Sequence, residues 1–408
     1  MQCVVCISVG YELLAMNYYM KICIINNLYP PYARGGAEQV VKRTVEGLLK
    51  EGNEVVLITS TPDEEGVEEQ KNLKIYRTRP RNIFFYTQAH KHDAFSRFLW
   101  HVIDMFNFSV SKEVKRILTW EKPDIVHTHN LMGLSFLIPS TIRSLGIRHV
   151  HTVHDVQLVE PSGIILKTKE NSLRYTGVLT QMYTWVMKKL LGSPEVVISP
   201  SQFLLDFYKT RGFFEKSNTT LLRNPLTLTF ERSKSERKDK EFNFLYLGQV
   251  EEHKGVFLLL EAFKNIKNTK LHIAGDGSKL GDLKELTKEN NNVTYYGRVE
   301  RDKLPELFSN MDVTVVPSLC YENSPTVIFE SLYFGVPVLA SRIEGIAELI
   351  EEGENGFTFE AGDTMSLQEK LEWCVEHRID IEKMSIKIPT TGGSEGEYIG
   401  KLVELYNG

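Results

Sequence analysis

Residues 312–341 read DVTVVPSLCYENSPTVIFESLYFGVPVLAS. DVTVV is a short β-branched apolar run stopped at Pro317-Ser318, which predicts a buried strand. Ser324 and Pro325 fit an N-cap and a first helical position. Gly335 and Pro337 close that helix, and VPVLAS resumes the strand pattern. Strand, helix and strand in this order predict a crossover unit joining parallel strands. Two carboxylates stand out in it: Glu322 falls in the loop and Glu330 within the apolar helix.

The same alternation runs outward in both directions. Upstream, KICIIN, EVVLITS, LKIYRT, DIVHTH, RHVHTV and EVVISPS read as strands, with amphipathic segments at 37–50 and 201–209. Around the opening stretch, FNFLYLG, KLHIAGDG and NVTYYG alternate with helical stretches near 255–266, 278–289 and 301–310. Two such series predict an α/β chain of two doubly wound parallel-sheet domains. The expected boundaries are 21–225 and 226–385, separated near the charged run ERSKSERKDKE at 231–241, which cannot bury itself. Residues 386–408 should end in an amphipathic helix packing back on the first domain, since a terminal helix needs a surface to lie on. Residues 1–20 read as an N-terminal arm or a mis-assigned start before Met20. They lack the basic region and cleavage site of a signal peptide.

The chain has 408 residues with a formal charge of -5, which offers no global basic field for nucleic acid. Its five cysteines, Cys3, Cys6, Cys23, Cys320 and Cys374, are few and odd in number. They argue against a disulfide framework and fit a reducing, cytoplasmic setting. Cys3 and Cys6 form a C-x-x-C pair with no matching second pair. No stretch after residue 20 is long and apolar enough to span a bilayer.

Four glycine- or histidine-rich places join the two glutamates as candidate sites. Gly35 and Gly36 stand between a strand and a helix start, where unpaired N–H groups can receive a phosphate; a plain tight turn is the alternative. Gly248 ends a strand, and Lys254-Gly255 follow where the next helix should begin. A lysine there opposes the helix dipole and favours an anionic ligand, unless it is simply solvated. Gly275, Asp276, Gly277 and a capping Ser278 make a turn at the sheet's C-terminal edge. His127, His129, His151 and His154 fall at strand ends. Their H-x-H spacing admits a metal, but a hydrogen-bonded cluster explains most of them, and His154, beside Asp155, is the stronger candidate. A carboxylate at Glu330 can accept from the vicinal hydroxyls of a ribose, and Glu322 from those of a sugar ring; solvated glutamates are the plainer reading.

From about residue 21 onward the chain resembles the family 4 glycosyltransferases. The resemblance rests on GGAEQVV, DIVHTHN, HTVHD, VISPS, RNPL, YLGQVEEHKG, LHIAGDG, YYGRV and YENSPTVIFESLYFGVPVLAS in that order. It implies a GT-B fold, two Rossmann-like domains facing across a cleft, and a retaining, sugar-nucleotide-dependent reaction. It also implies roles for residues. Glu330 would hold the ribose, and Glu322 the donor sugar. Backbone groups across Asn323, Ser324, Pro325, Thr326 and Val327 would hold the diphosphate. Lys254 would supply charge, Arg298 and Val299 would line the base pocket, and His154 would lie beside the transferred sugar. Catalysis would rest on His154, Glu322 and Lys254. The implied reaction needs no metal and no cofactor beyond the nucleoside-diphosphate sugar. One departure matters: Gln249 stands where the family pattern often carries arginine, with Arg298, Arg342 or Arg223 as candidate substitutes.

The expected function is transfer of a hexose-type sugar to a glycan or polyprenyl-linked acceptor in polysaccharide synthesis. A sugar-nucleotide epimerase, a non-catalytic sugar-nucleotide binder and a dehydrogenase are the rivals, the last weakened by the missing G-x-G-x-x-G. Residues 171–193 mix aromatics with Lys188 and Lys189. They read either as a core helix with a wet face or as a segment lying on a membrane surface.

Overall fold

The computed structural model describes residues 19–32, 35–225, 241–288, 290–387 and 395–408. Cys3, Cys6 and the charged run from 231 to 240 lie outside them. The first domain holds β1 (Lys21–Ile25), β2 (Glu54–Ser60), β3 (Gly66–Gln70), β4 (Leu73–Thr78), β5 (Ile125–Thr128), β6 (Arg148–Thr152), β7 (Val196–Ser199) and β8 (Asn218–Leu221). They form one sheet in the order β3-β4-β2-β1-β5-β6-β7-β8, with β3 antiparallel to β4 and the other described pairs parallel. The second holds β9 (Phe242–Leu247), β10 (Thr269–Ala274), β11 (Val293–Gly297), β12 (Val313–Val316), β13 (Val338–Ser341) and β14 (Gly356–Phe359), ordered β11-β10-β9-β12-β13-β14 and parallel. In each sheet the winding reverses beside the first strand, at β1/β5 and at β9/β12. Open α/β sheets form their binding crevices at such points.

The apolar runs follow from burial on both faces. In β1, Ile22 and Ile24 enter one core cluster while Cys23 and Ile25 enter another. Three strands escape the sequence reading. β3 is GVEEQ, exposed throughout at the sheet edge, and β8 and β14 are only four residues long. Several helices escape it as well, among them Ala94–Met105, Phe108–Glu121, Ile138–Leu145 and Thr364–Glu376.

Two expected caps are corrected. The helix after the opening loop is Thr326–Tyr333 with Pro325 as N-cap, and no side chain caps it. Ser324 Oγ is instead buried without a hydrogen-bond partner among the described residues. Ser278 lies two residues before the helix Leu280–Thr287, and its hydroxyl donates to Glu251 at 2.7 Å. In both cases the chain turns into its helix later than the residue types suggest.

The C-terminal helix Glu395–Asn407 lies on the first domain. Ile399 and Leu402 join the cluster of Val41 and Val45. A Cβ at Gly47 would stand 2.5 Å from Ile399, so the glycine permits the close crossing. Tyr406 OH reaches His127 Nδ1 at 2.6 Å.

Candidate active site in the interdomain cleft

The helices Gly36–Lys50 and Thr326–Tyr333 begin on opposite walls of one cavity of about 370 Å³. A Cβ on Gly36 would lie 3.5 Å from Thr326 Cγ2, so the two helix starts nearly touch. Each start carries backbone N–H groups without intrahelical partners and the positive end of a dipole. At the first helix, Glu38 Oε2 accepts from Gly35 N at 2.7 Å and occupies part of that potential.

Gly255 sits at φ +75°, and a Cβ there would stand 1.7 Å from Pro317 O. That contact seats the Glu252–Lys254 turn on the end of β12 and delivers Lys254 to the cavity. Lys254 Nζ lies 2.5 Å from Glu322 Oε1, which also accepts from Ser318 Oγ at 3.0 Å. Burial works to lower the Lys254 pKa, but the attraction of Glu322 outweighs it and the net shift is upward. The ammonium therefore stays charged and the pair is formed.

His154 ends up against the same cavity. Its carbonyl accepts from Asn323 Nδ2 at 2.9 Å, and Asn323 Oδ1 accepts from Ser201 Oγ. This side chain of the second domain thus holds two places in the first. Burial pulls the His154 imidazole down to about 4, so it is neutral near pH 7. Its Nε2 lies 2.9 Å from His129 Nδ1. Burial pushes the neighbouring Asp155 up to about 6. The other histidines are tied to hydroxyls: His127 to Tyr406 and Thr152, and His151 to Thr128. Among the described residues no group of three or more His, Cys, Asp or Glu is arranged to hold a metal ion.

Of the residues singled out from sequence, Gly35, Gly36, His154, Gln249, Lys254 and Glu322 line the cavity, as does 323–327. Gly275, Arg298, Val299 and Glu330 do not. Gly275 is packed away at φ +146°, where a Cβ would stand 1.8 Å from Gly248 O. Its N–H and carbonyl are engaged by Gly297 O at 2.7 Å and Tyr295 OH at 2.9 Å. Glu330 is buried, with Arg301 Nη2 3.6 Å from its Oε1; the loop carrying Arg298 and Val299 brings that arginine. None of the suggested substitutes for the missing cation reaches the cavity wall. Arg298 is exposed, Arg342 lies by Thr358 and Glu360, and Arg223 by Glu348. Sequence reasoning missed Ser318, Asn224 and Arg301; the first two sit inside quoted motifs, while Arg301 carries no local signal.

The domains are also joined beside the site. Tyr321 N donates to Ile165 O and Lys167 N to Leu319 O, each at 2.8 Å. Glu348, from the second domain, accepts from Gln202 N at 2.9 Å and Phe203 N at 2.5 Å. A carboxylate of one domain thus caps the helix Gln202–Lys209 of the other.

Comparison with known proteins agrees with this architecture. A profile described as Glycosyltransferase Family 4 matches residues 34–229, and one described as Glycosyl transferases group 1 matches 229–389. An uncharacterized 42.6 kDa protein in the cps region of Klebsiella pneumoniae is 28% identical over 333 residues, 81% of this chain and 87% of that protein. N-acetyl-alpha-D-glucosaminyl L-malate synthase of Bacillus anthracis is 24% identical over 366 residues, 86% of this chain and 87% of that one. The structure of Anabaena Alr3699/HepE in complex with UDP and glucose superposes with a TM-score of 0.68 at 17% identity, over 95% of this chain and 100% of that one. Two adjoining family matches, carried by two facing doubly wound sheets, mean that this chain belongs to the family 4 glycosyltransferases and is a transferase of the GT-B fold.

Proposed function

We propose that the chain transfers a hexose-type sugar, with retention of anomeric configuration, from a nucleoside-diphosphate sugar to a glycan or polyprenyl-linked acceptor. The process served would be synthesis of a cell-surface polysaccharide or glycoconjugate. The observation that carries this reading is the pair of opposed helix starts on one cavity, with Lys254 on its wall. That arrangement suits a diphosphate, which is what UDP in the similar Anabaena structure would present.

The mechanism follows from charge. Cleaving the anomeric C–O bond leaves positive charge on the sugar and negative charge on the departing diphosphate. The helix starts and Lys254 would stabilise the latter, a preorganised electrostatic contribution. An arriving diphosphate would compete with Glu322 for Lys254 and release that carboxylate toward the sugar hydroxyls. Neutral His154 would contribute a hydrogen bond to the sugar rather than a charge. Glu330, just behind the cavity wall, would hold the ribose once Arg301, now 3.6 Å from its carboxylate, moves aside to admit the nucleoside. The acceptor hydroxyl would attack on the face the diphosphate leaves and pass its proton to the departing diphosphate oxygen, with no metal and no cofactor required. The reaction would take place in the cytoplasm, at or near the membrane; among the described residues no helix is long and apolar enough to cross one.

The test is thermal unfolding against UDP, GDP, ADP, dTDP and NAD, followed by product analysis with the matching sugar nucleotides. A ligand at about 100 times its Kd adds roughly 2.7 kcal/mol of stability. The expected outcome is a shift with one nucleoside diphosphate and a transferred sugar of unchanged anomeric configuration. No shift with any diphosphate, or an inverted product, would refute the reading.

A further inference from the structure

The helix Ala94–Met105 is amphipathic the wrong way round. Its core-facing residues are Trp100 and Asp104. Phe95, Phe98, Leu99, Val102 and, just past its end, Phe106 recur at helical spacing and point to solvent, Phe98 being 63% exposed. A helix of a water-soluble domain turns such a stripe inward. The helix Val178–Leu191 repeats the pattern. Met187 and Leu191 are buried, while Val178, Met182 and Trp185 are exposed in one stripe that ends at exposed Lys189. Leu179 beside it is 82% exposed.

Both helices lie near Glu160. Arg174, just ahead of the second helix, lies 3.1 Å from Glu160 Oε1, and that carboxylate is near enough to His101 of the first to act on its charge. Tyr183 of the second helix donates to Gln157 O at 2.9 Å. Both exposed stripes therefore stand on the same part of the first domain, and exposed apolar surface of this extent marks an interaction site. Charge selects the partner. Segments 91–108 and 167–191 hold seven Lys and Arg against three Asp and Glu, a formal +4 that Glu160 and Glu344, paired with Arg174 and Lys167, reduce to +2, in a chain of formal charge -5. Aromatic and aliphatic side chains flanked by basic residues suit the interface of an anionic bilayer.

We infer that these two helices form a docking surface that seats the chain on an anionic lipid membrane. Gly163 and Ile164, on the cavity wall, stand a few residues before this surface in the chain, so docking holds the cleft near the bilayer. That a lipid-linked acceptor would meet the cleft there rests on the glycosyl-transfer reading; docking itself does not.

The experiment is co-flotation of the full chain with phosphatidylcholine vesicles, with and without phosphatidylglycerol. Two double variants test the surface, Phe98→Ser with Trp185→Ser and Lys188→Ser with Lys189→Ser, each checked by its melting curve. The chain should float with anionic vesicles, less so at high salt, and each double variant should partition roughly tenfold more weakly. Absence of flotation, or flotation indifferent to lipid charge and to both variants, would overturn the inference. So would a concentration-dependent dimer that the apolar variant dissolves, because a second copy would then cover the face. A chain that floats but shifts with no nucleoside diphosphate keeps the docking and loses the glycosyl-transfer reading.

Discussion

Replacing Gln249 by arginine should tighten nucleoside diphosphate binding. Among the described residues lining the cavity, Lys254 is the only Lys or Arg, and Glu322 neutralises it at 2.5 Å. Asp155 adds negative charge once the pH exceeds about 6. A diphosphate thus enters a wall whose side chains carry no surplus positive charge, and the helix starts supply the attraction. Gln249 is exposed and on the wall, with its carbonyl held by Tyr246 OH at 2.6 Å, so a longer side chain has room. A charge-assisted hydrogen bond contributes about 1.5–3 kcal/mol. Exposure places this one at the lower end, which converts to roughly tenfold in Kd. The assay is calorimetric titration of wild type and Gln249→Arg with the diphosphate found in the unfolding panel, at low and high salt. The uncharged nucleoside serves as control. An unchanged diphosphate affinity, or an equal gain for the nucleoside, would refute the charge argument.

Three further outcomes are expected. Glu330→Ala should weaken nucleotide binding by about tenfold or more through lost hydroxyl contacts. It should also abolish any preference for the ribonucleotide over its 2′,3′-dideoxy form, and a retained preference in a folded protein would remove Glu330 from the ribose. Glu348→Ala takes the acceptor from two N–H groups at the start of the helix Gln202–Lys209, while Ser201 still caps Leu204 N at 3.1 Å. About 1 kcal/mol of stability should be lost, and an unchanged melting temperature would show that this interdomain cap is idle. Acidification should destabilise the chain. Burial holds His151 down to about 3 and His154 to about 4, and His127, His129 and His149 well below their ordinary value. Below pH 6.5 the unfolded chain binds protons at these sites and the folded chain does not, so stability present above 6.5 is lost as pH falls. Asp155 and Asp104, raised by burial to about 6 and about 7, act oppositely, their contribution being lost as pH rises from about 4. Five groups outweigh two, each histidine contributing on the order of 1 kcal/mol one pH unit below 6.5. A urea midpoint equal at pH 5.5 and 7.5 would contradict this balance.

By itself the sequence determined what depends on neighbours along the chain. Period-two and unbroken apolar runs placed the principal strands, and Gly335 with Pro337 ended a helix, because these signals are local sterics and burial. It also placed Gly36 beside a helix start, opened the next helix one residue early at Pro325, and put Lys254 where a helix should begin, two residues ahead of the observed start at Val256. Which of these share a cavity was decided only when the two domains packed. Lys254 and Glu322 are 68 residues apart, and Asn323 holds a carbonyl 169 residues away. Glu330 acquired Arg301 through a loop, and the capping role of Glu348 exists only across the domain contact. The outward stripe on Ala94–Met105 makes the same point. Periodicity shows that a helix has an apolar face, but what that face meets is set by the surface it packs against, and no local spacing encodes that surface.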